Sequence, residues 1–162
     1  MDLKSFDHCE DLSLAASAMR NGDVIEFSYL LAGDVDDVTI PPSLPPMRAD
    51  ELWKSTCFEA FISTGKTSYA ELNFAPSGQW AAYSFTNYRE GMRELDIAPP
   101  KISFARNRLV AAVELAARPG SALNLTAVIE RKDGVRSYWA LAHPKGRVPD
   151  FHARDCFVAK LP

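Results

Sequence analysis

Along the chain, short apolar runs alternate with clusters of turn-forming residues, and within most runs the hydrophobic period is two. That is the pattern of half-buried β-strands. Residues 24–32 (VIEFSYLLA) follow the turn Asn21-Gly22-Asp23. Runs at 56–63, 68–75 and 79–88 come next, linked by Thr64-Gly65-Lys66 and Pro76-Ser77-Gly78. Links that short join antiparallel neighbours, so these three runs predict a meander. Further runs cover 101–105, 108–117, 122–131, 135–142 and 155–161, with Lys132-Asp133-Gly134 as a hairpin tip. Residues 33–50 hold Pro41, Pro42, Pro45 and Pro46. That proline density excludes a central strand and marks a long loop of the kind that often binds ligands. Residues 12–20 are the one helical candidate, and 110–117 is ambiguous because alanine is so frequent there. The expectation is a single all-β domain over residues 1–162. It is an antiparallel β-sandwich, jelly-roll or immunoglobulin-like, with about nine or ten strands and at most one short helix.

Parity assigns side chains to faces. Phe58, Ala60 and Ile62 form one row, with Cys57, Glu59 and Phe61 behind them. In the next strand Ala70, Leu72 and Phe74 read as the core row, and Tyr69, Glu71 and Asn73 share the other face. An extended chain reaching back to Trp53 puts that ring on the side of Glu59. Aromatic rings cover apolar sugar faces, while carboxylates and amides make directional hydrogen bonds, so this face is a candidate polar-ligand platform. Outward faces of antiparallel sheets are commonly wet and polar, and a plain solvated surface is the competing reading. Glu59 departs from it, because the neighbours in CFEAFI all favour burial. A buried carboxylate needs a partner, for which Arg89 and Arg93 are the candidates.

Composition narrows the choice of function. The 162 residues are 47% hydrophobic and 24% charged, with a net charge of −3. Arg131, Lys132 and Arg136 bracket a turn rather than forming a basic patch, so nucleic acid is not expected as a partner. No run approaches the ~18–20 apolar residues of a membrane helix. Residues 1–10 lack the apolar stretch of a signal peptide. The three cysteines, Cys9, Cys57 and Cys156, are odd in number and widely spaced. Reduced thiols in a cytoplasmic protein are the expectation.

Several blocks carry a family resemblance. Residues 48–61 (RADELWKSTCFEAF), 71–80 (ELNFAPSGQW), 83–85 (YSF), 88–92 (YREGM), 138–144 (YWALAHP) and 149–152 (PDFH) resemble DOMON-like domains related to family 9 carbohydrate-binding modules. The resemblance runs through nearly the whole chain. It implies a β-sandwich with a ligand site on one sheet and its adjoining loops. Trp53 and Glu59 match the family's tryptophan followed by a glutamate. Relatives pair two tryptophans around a terminal sugar, which makes Trp139 the candidate second ring, with Trp80 behind it. Family sugar-binding modules usually belong to secreted enzymes. A lone domain without a signal peptide points instead to a soluble sugar or sugar-containing metabolite.

The expected function is thus non-catalytic small-ligand binding, with Trp53 and Trp139 stacking and Glu59, Glu71, Asn73 and Arg89 supplying hydrogen bonds. Related DOMON cytochromes hold haem b between a Met and a His, so Met47, His143 and His152 are the alternative haem ligands. Catalysis would draw on Cys57 or Cys156 with His143 or His152 and Asp150 or Asp155. No nucleophile elbow, HExxH motif or phosphate-cradling glycine loop accompanies them. Neither a metal trio of His143, Asp150 and His152 nor the acidic run 34–37 has diagnostic spacing. A protein-interaction module would instead expose Tyr83, Phe85 and Tyr88 as an apolar patch.

Overall fold

A computed structural model describes all 162 residues. The chain forms twelve strands: β1 (Asp2–Ser5), β2 (Leu12–Asn21), β3 (Val24–Gly33), β4 (Cys57–Ser63), β5 (Tyr69–Phe74), β6 (Trp80–Phe85), β7 (Arg93–Glu94), β8 (Lys101–Ala105), β9 (Arg108–Glu114), β10 (Ala122–Glu130), β11 (Arg136–Ala140) and β12 (Ala159–Lys160). All pairings between strands are antiparallel. There is no α-helix, only 3₁₀ turns at Val35–Asp37, Leu52–Lys54 and Arg154–Cys156.

The helical candidate at 12–20 is corrected: it is β2. Its buried positions Leu12, Leu14 and Ala16 recur every second residue. Each of its ten residues has a partner in β3, from Leu12 opposite Gly33 to Asn21 opposite Val24. Alanines at 15, 16 and 18 have high helix propensity, yet ladder pairing and a buried Leu-Leu-Ala row outweigh it. The ambiguous stretch at 110–117 is likewise strand as far as Glu114. The run at 155–161 shrinks to the two-residue β12, after a 3₁₀ turn. Besides β2, two more strands arise where the pattern does not predict β: β1 at the polar N-terminus, and β7.

The expected two-sheet sandwich is also revised. Eleven strands lie on one hydrogen-bonded path, β7-β6-β5-β4-β10-β11-β1-β2-β3-β9-β8, with β12 beside β10. The sheet curls like a half-barrel. Strand β1 pairs with β2 on one side and β11 on the other, so it joins the two wings instead of leaving them separate. The concave side holds the main core. Phe27 and Tyr29 of β3 meet Phe74 and Phe58 of β5 and β4, with ring centroids 5.8 and 5.2 Å apart. Ile25, Leu72, Leu109, Leu125 and Ile129 close around them. Burying such side chains contributes about 1.5–3 kcal/mol each.

Strands β4 and β5 are unusual in being buried on both faces. Every residue from Cys57 to Ile62 and from Tyr69 to Phe74 is buried. The second face carries its own smaller cluster, in which Phe61, Tyr69, Phe85, Phe151 and Phe157 pack together. Something must cover that face, and two segments do so. The proline-rich loop is pinned along β6: Arg48 donates to the carbonyls of Ala82 and Leu95 at 3.0 and 2.8 Å and lies over the Trp80 ring. From there it delivers the Leu52–Lys54 turn. On the opposite side residues 143–157 fold back, and Phe151 and Phe157 press onto Phe61.

Candidate functional site

The covered face is incompletely filled. A cavity of about 360 Å³ remains between the sheet and its cover, lined by Trp53, Glu59, Phe61, Glu71, Phe85, Arg89, Met92, Val128, Tyr138, Pro149, Phe151 and His152. The floor is strand: Glu59 and Phe61 from β4, Glu71 from β5, Phe85 from β6, Val128 from β10 and Tyr138 from β11. The mouth is loop, where Trp53 and Met92 are 37% and 51% exposed. Glu51 and Arg89 each take left-handed backbone, at φ 60° and 53°. The first redirects the chain into the turn that carries Trp53; the second sits in the tight turn after β6. Non-glycine residues in that region cluster where geometry serves a site.

The two floor carboxylates are diagonal neighbours. Glu59 lies opposite Asn73 and Phe61 opposite Glu71, so both glutamates project from the same face two positions apart. Glu59 is only 3% exposed and Glu71 6%. Thr126 Oγ1 donates to Glu59 Oε2 at 3.1 Å, and Asn73 Nδ2 donates to Glu71 Oε1 at 2.8 Å. Glu59 Oε1 receives no hydrogen bond from the protein. Burial, reinforced by the charge of Glu71, pushes the Glu59 carboxyl up to about 8, against the smaller opposing effect of Thr126. Burial also raises Glu71, partly offset by Asn73 and Arg89. Two adjacent buried carboxylates do not both ionise readily, so the pair retains a proton at neutral pH.

The arginine expected beside Glu59 is occupied elsewhere. Arg89 Nη2 donates to Asp150 Oδ1 at 2.9 Å. Asp150 Oδ1 also receives the backbone N–H of His152, and Oδ2 receives the Tyr88 hydroxyl at 2.7 Å. Burial would raise Asp150, but these donors and the Arg89 charge hold it below the usual carboxylate range. Asp150 therefore staples the 143–157 segment to the turn carrying Arg89. Arg93, the other candidate, lies in β7 outside this cavity.

His152 completes the wall. Its Nε2 stands 3.7 Å from Glu71 Oε2, and its Nδ1 is 2.7 Å from the Tyr69 hydroxyl. The hydroxyl oxygen accepts the Arg89 N–H at 3.1 Å. A carboxylate facing Nε2 favours the proton there, leaving Nδ1 to accept from Tyr69. Burial, then the charge of Arg89, hold the imidazole down to about 4, with Asp150 opposing. The ring is neutral at physiological pH. This carboxylate–imidazole–phenol chain has the outline of a relay, but Tyr69 is fully buried and does not line the cavity. Its hydroxyl orients His152.

Of the six ligand-binding candidates, the structure brings Trp53, Glu59, Glu71 and Arg89 around one cavity and puts Asn73 directly beneath, bonded to Glu71. Trp139 is placed apart. Tyr138 faces the cavity, so the next residue along β11 must face the other way, and Trp139 is packed in the concave core with Nε1 donating to Ser137 Oγ at 2.9 Å. Trp80 is also core. Trp53 acts from a 3₁₀ turn and not from an extension of β4. His152, Tyr138, Phe151 and Met92 were not assigned to the ligand by sequence; the period-two parity of β11 could have supplied Tyr138.

The haem alternative does not fit these positions. Met47 is 52% exposed and lines neither this cavity nor a larger hollow of about 840 Å³ near β1. His143 lines that larger hollow, with its Nε2 2.7 Å from the Lys4 carbonyl, while His152 lines the smaller one. Axial ligands must converge on a single iron, and these three do not. The cysteine candidates are poorly activated. Burial drives Cys57 well above its ordinary range, and burial followed by Asp150 raises Cys156 to about 11. Thiolate, the nucleophilic form, is thus disfavoured at both. The apolar patch of an interaction module is also corrected. Tyr83 and Phe85 are 3% and 5% exposed, and Tyr88, though exposed, is tied to Asp150. The loop segments that shield this face account for the difference.

No family model matches the chain, and no curated protein matches it. Among solved structures, the fold is similar to the crystal structure of a "putative carbohydrate-binding protein" from Bacteroides uniformis, with a TM-score of 0.62 and 13% identity over 90% of this chain and 75% of that one. The likeness at that identity is one of fold: an all-β, antiparallel architecture shared with a protein so described.

Proposed function

We propose that this domain binds a small polar ligand, a sugar or sugar-containing metabolite, in the cavity between Trp53 and the Glu59–Glu71 floor, without transforming it. The observation that carries the reading is the lining itself. Two buried acids and an arginine stand among Trp53, Phe85, Tyr138 and Phe151, in a cavity of about 360 Å³. Rings that cover apolar sugar faces and carboxylates that bind hydroxyls are what a saccharide requires. The resemblance to DOMON-like and family 9 carbohydrate-binding modules, and the fold shared with a protein described as carbohydrate-binding, favour the same class. A binding role is favoured over turnover because the imidazole is a weak base, the thiols are held protonated and the one phenol bonded to His152 is sealed away.

Calorimetric titration with a panel of mono- and disaccharides tests the reading. At least one should bind saturably to the wild type, and the folded Trp53→Ala variant should lose affinity about tenfold, the size of one lost stacking contact. Binding unchanged by Trp53→Ala, or absent across the panel, would overturn it.

A further inference from the structure

The charge balance around the cavity narrows the ligand class within that reading. Besides the Tyr138 phenol, four lining side chains are ionisable: Glu59, Glu71, Arg89 and His152. His152 is neutral, and the Arg89 guanidinium is already committed to Asp150. Asp150 has its donors on both oxygens, from Arg89, the His152 backbone N–H and Tyr88. Glu59 and Glu71 each combine burial, 3% and 6% exposed, with one oxygen that no protein hydrogen bond satisfies: Glu59 Oε1, and Glu71 Oε2, whose nearest partner is the neutral His152 Nε2 at 3.7 Å. The other groups that face Glu59 supply no cation. Cys57 precedes it by two on the same face of β4, Thr126 faces it from β10, and Tyr29 of β3 donates to its backbone carbonyl at 2.6 Å. A buried carboxylate with one free oxygen, beside a second carboxylate, is a socket for a positive charge.

We infer that the ligand carries an ammonium group, as an amino sugar does, and that this group sits between Glu59 and Glu71. The aromatic walls suit it twice over. Phe85 and Tyr138 give apolar cover to the ring carbons, and π-faces attract an alkylammonium. In the free protein a proton occupies the carboxylate pair. On binding, the ligand enters as R–NH₃⁺, both carboxylates become ionised, and one H⁺ leaves to solvent. A neutral sugar hydroxyl gives no reason for that proton to depart.

This inference rests on the sugar-binding reading, and glucosamine, glucose and N-acetylglucosamine separate the two. Calorimetry at pH 6.5, in two buffers of different ionisation enthalpy, measures both affinity and proton release. Glucosamine should bind at least tenfold tighter than either neutral sugar and release close to one proton per ligand. Its affinity should rise by up to tenfold per pH unit until the pair ionises or the amine deprotonates. Glu59→Gln should abolish the preference and the proton release. Equal affinity for glucosamine and glucose, without proton release, would overturn the ammonium inference and leave the sugar reading standing. Absence of binding by all three, together with the rest of the saccharide panel, would overturn both.

Discussion

The two faces of β4 and β5 are equally buried and chemically opposite. On the concave face, Phe58, Ala60, Ile62, Leu72 and Phe74 meet the β3 and β9 wing without a polar side chain among them. On the convex face, Glu59, Glu71 and Asn73 alternate with Cys57, Phe61 and Tyr69, and each position is as dry as its neighbour across the strand. Burial alone therefore does not distinguish core from site. The distinction lies in what covers each face. Against β4 and β5 a second wing of strand supplies the cover on one side, whereas on the other two loop segments leave a cavity whose polar groups are only partly satisfied. One face stabilises the fold; the other keeps unsatisfied polar capacity, the feature on which the proposed ligand binding rests.

Substitutions can break that comparison, and the largest effect belongs to the concave face. Phe58→Ala removes the ring packed against Tyr29 and Phe104 and should cost about 3–5 kcal/mol in urea unfolding. A cost below ~1 kcal/mol would deny that this face is the core. Tyr69→Phe acts on the convex face. It leaves His152 Nδ1 and the Arg89 N–H without their shared partner, at an expected cost of about 1–3 kcal/mol by the same measurement.

The pH dependence sharpens the comparison further. Glu59 holds its proton to about 8 in the folded state, against an ordinary value of 4.5. The folded state thus binds the extra proton between those values, and this contribution to stability is lost as pH rises through them. His152, at about 4 instead of 6.5, works the other way and costs stability as pH falls from 6.5 to 4. The two oppose each other below 6.5, so the net decline should appear from pH 6.5 to 8, at up to about 1.4 kcal/mol per pH unit. Glu59→Gln should flatten that limb in melts run across the range. An unchanged slope would mean the carboxyl is already ionised at neutral pH.

The smallest stability effects come from the tryptophans, and they should separate cleanly. Trp139→Phe gives up the bond to Ser137 and some core volume, costing about 1 kcal/mol, and leaves saccharide affinity unaltered in the same titration. Trp53→Ala, at the cavity mouth, should change stability by no more than about 0.5 kcal/mol while lowering affinity. The reverse assignment of effects would exchange the roles given to the two faces.

Much of this was legible in the chain. Period-two alternation located nine of the strands as β and assigned the rows 58/60/62 and 57/59/61 to their faces, because side-chain direction in a strand is a local property. The acid amid apolar residues at Glu59 signalled a polar group inside. The β2 segment misled because local propensity favours helix for its alanines, and only the ladder with β3 reverses it. Trp139 misled because a motif match does not say which way a side chain points, although its parity with Tyr138 does.

What the sequence determined by itself was the strand class, the turns and the facing of each row, all decided within a few residues. What only the tertiary structure decided was closure. The path through β1 that joins the wings, the return of Phe151 and His152 onto Phe61, and the commitment of Arg89 to Asp150 rather than Glu59 are contacts between residues dozens of positions apart. No local pattern encodes them, because each depends on which surfaces remain uncovered once the strands have paired.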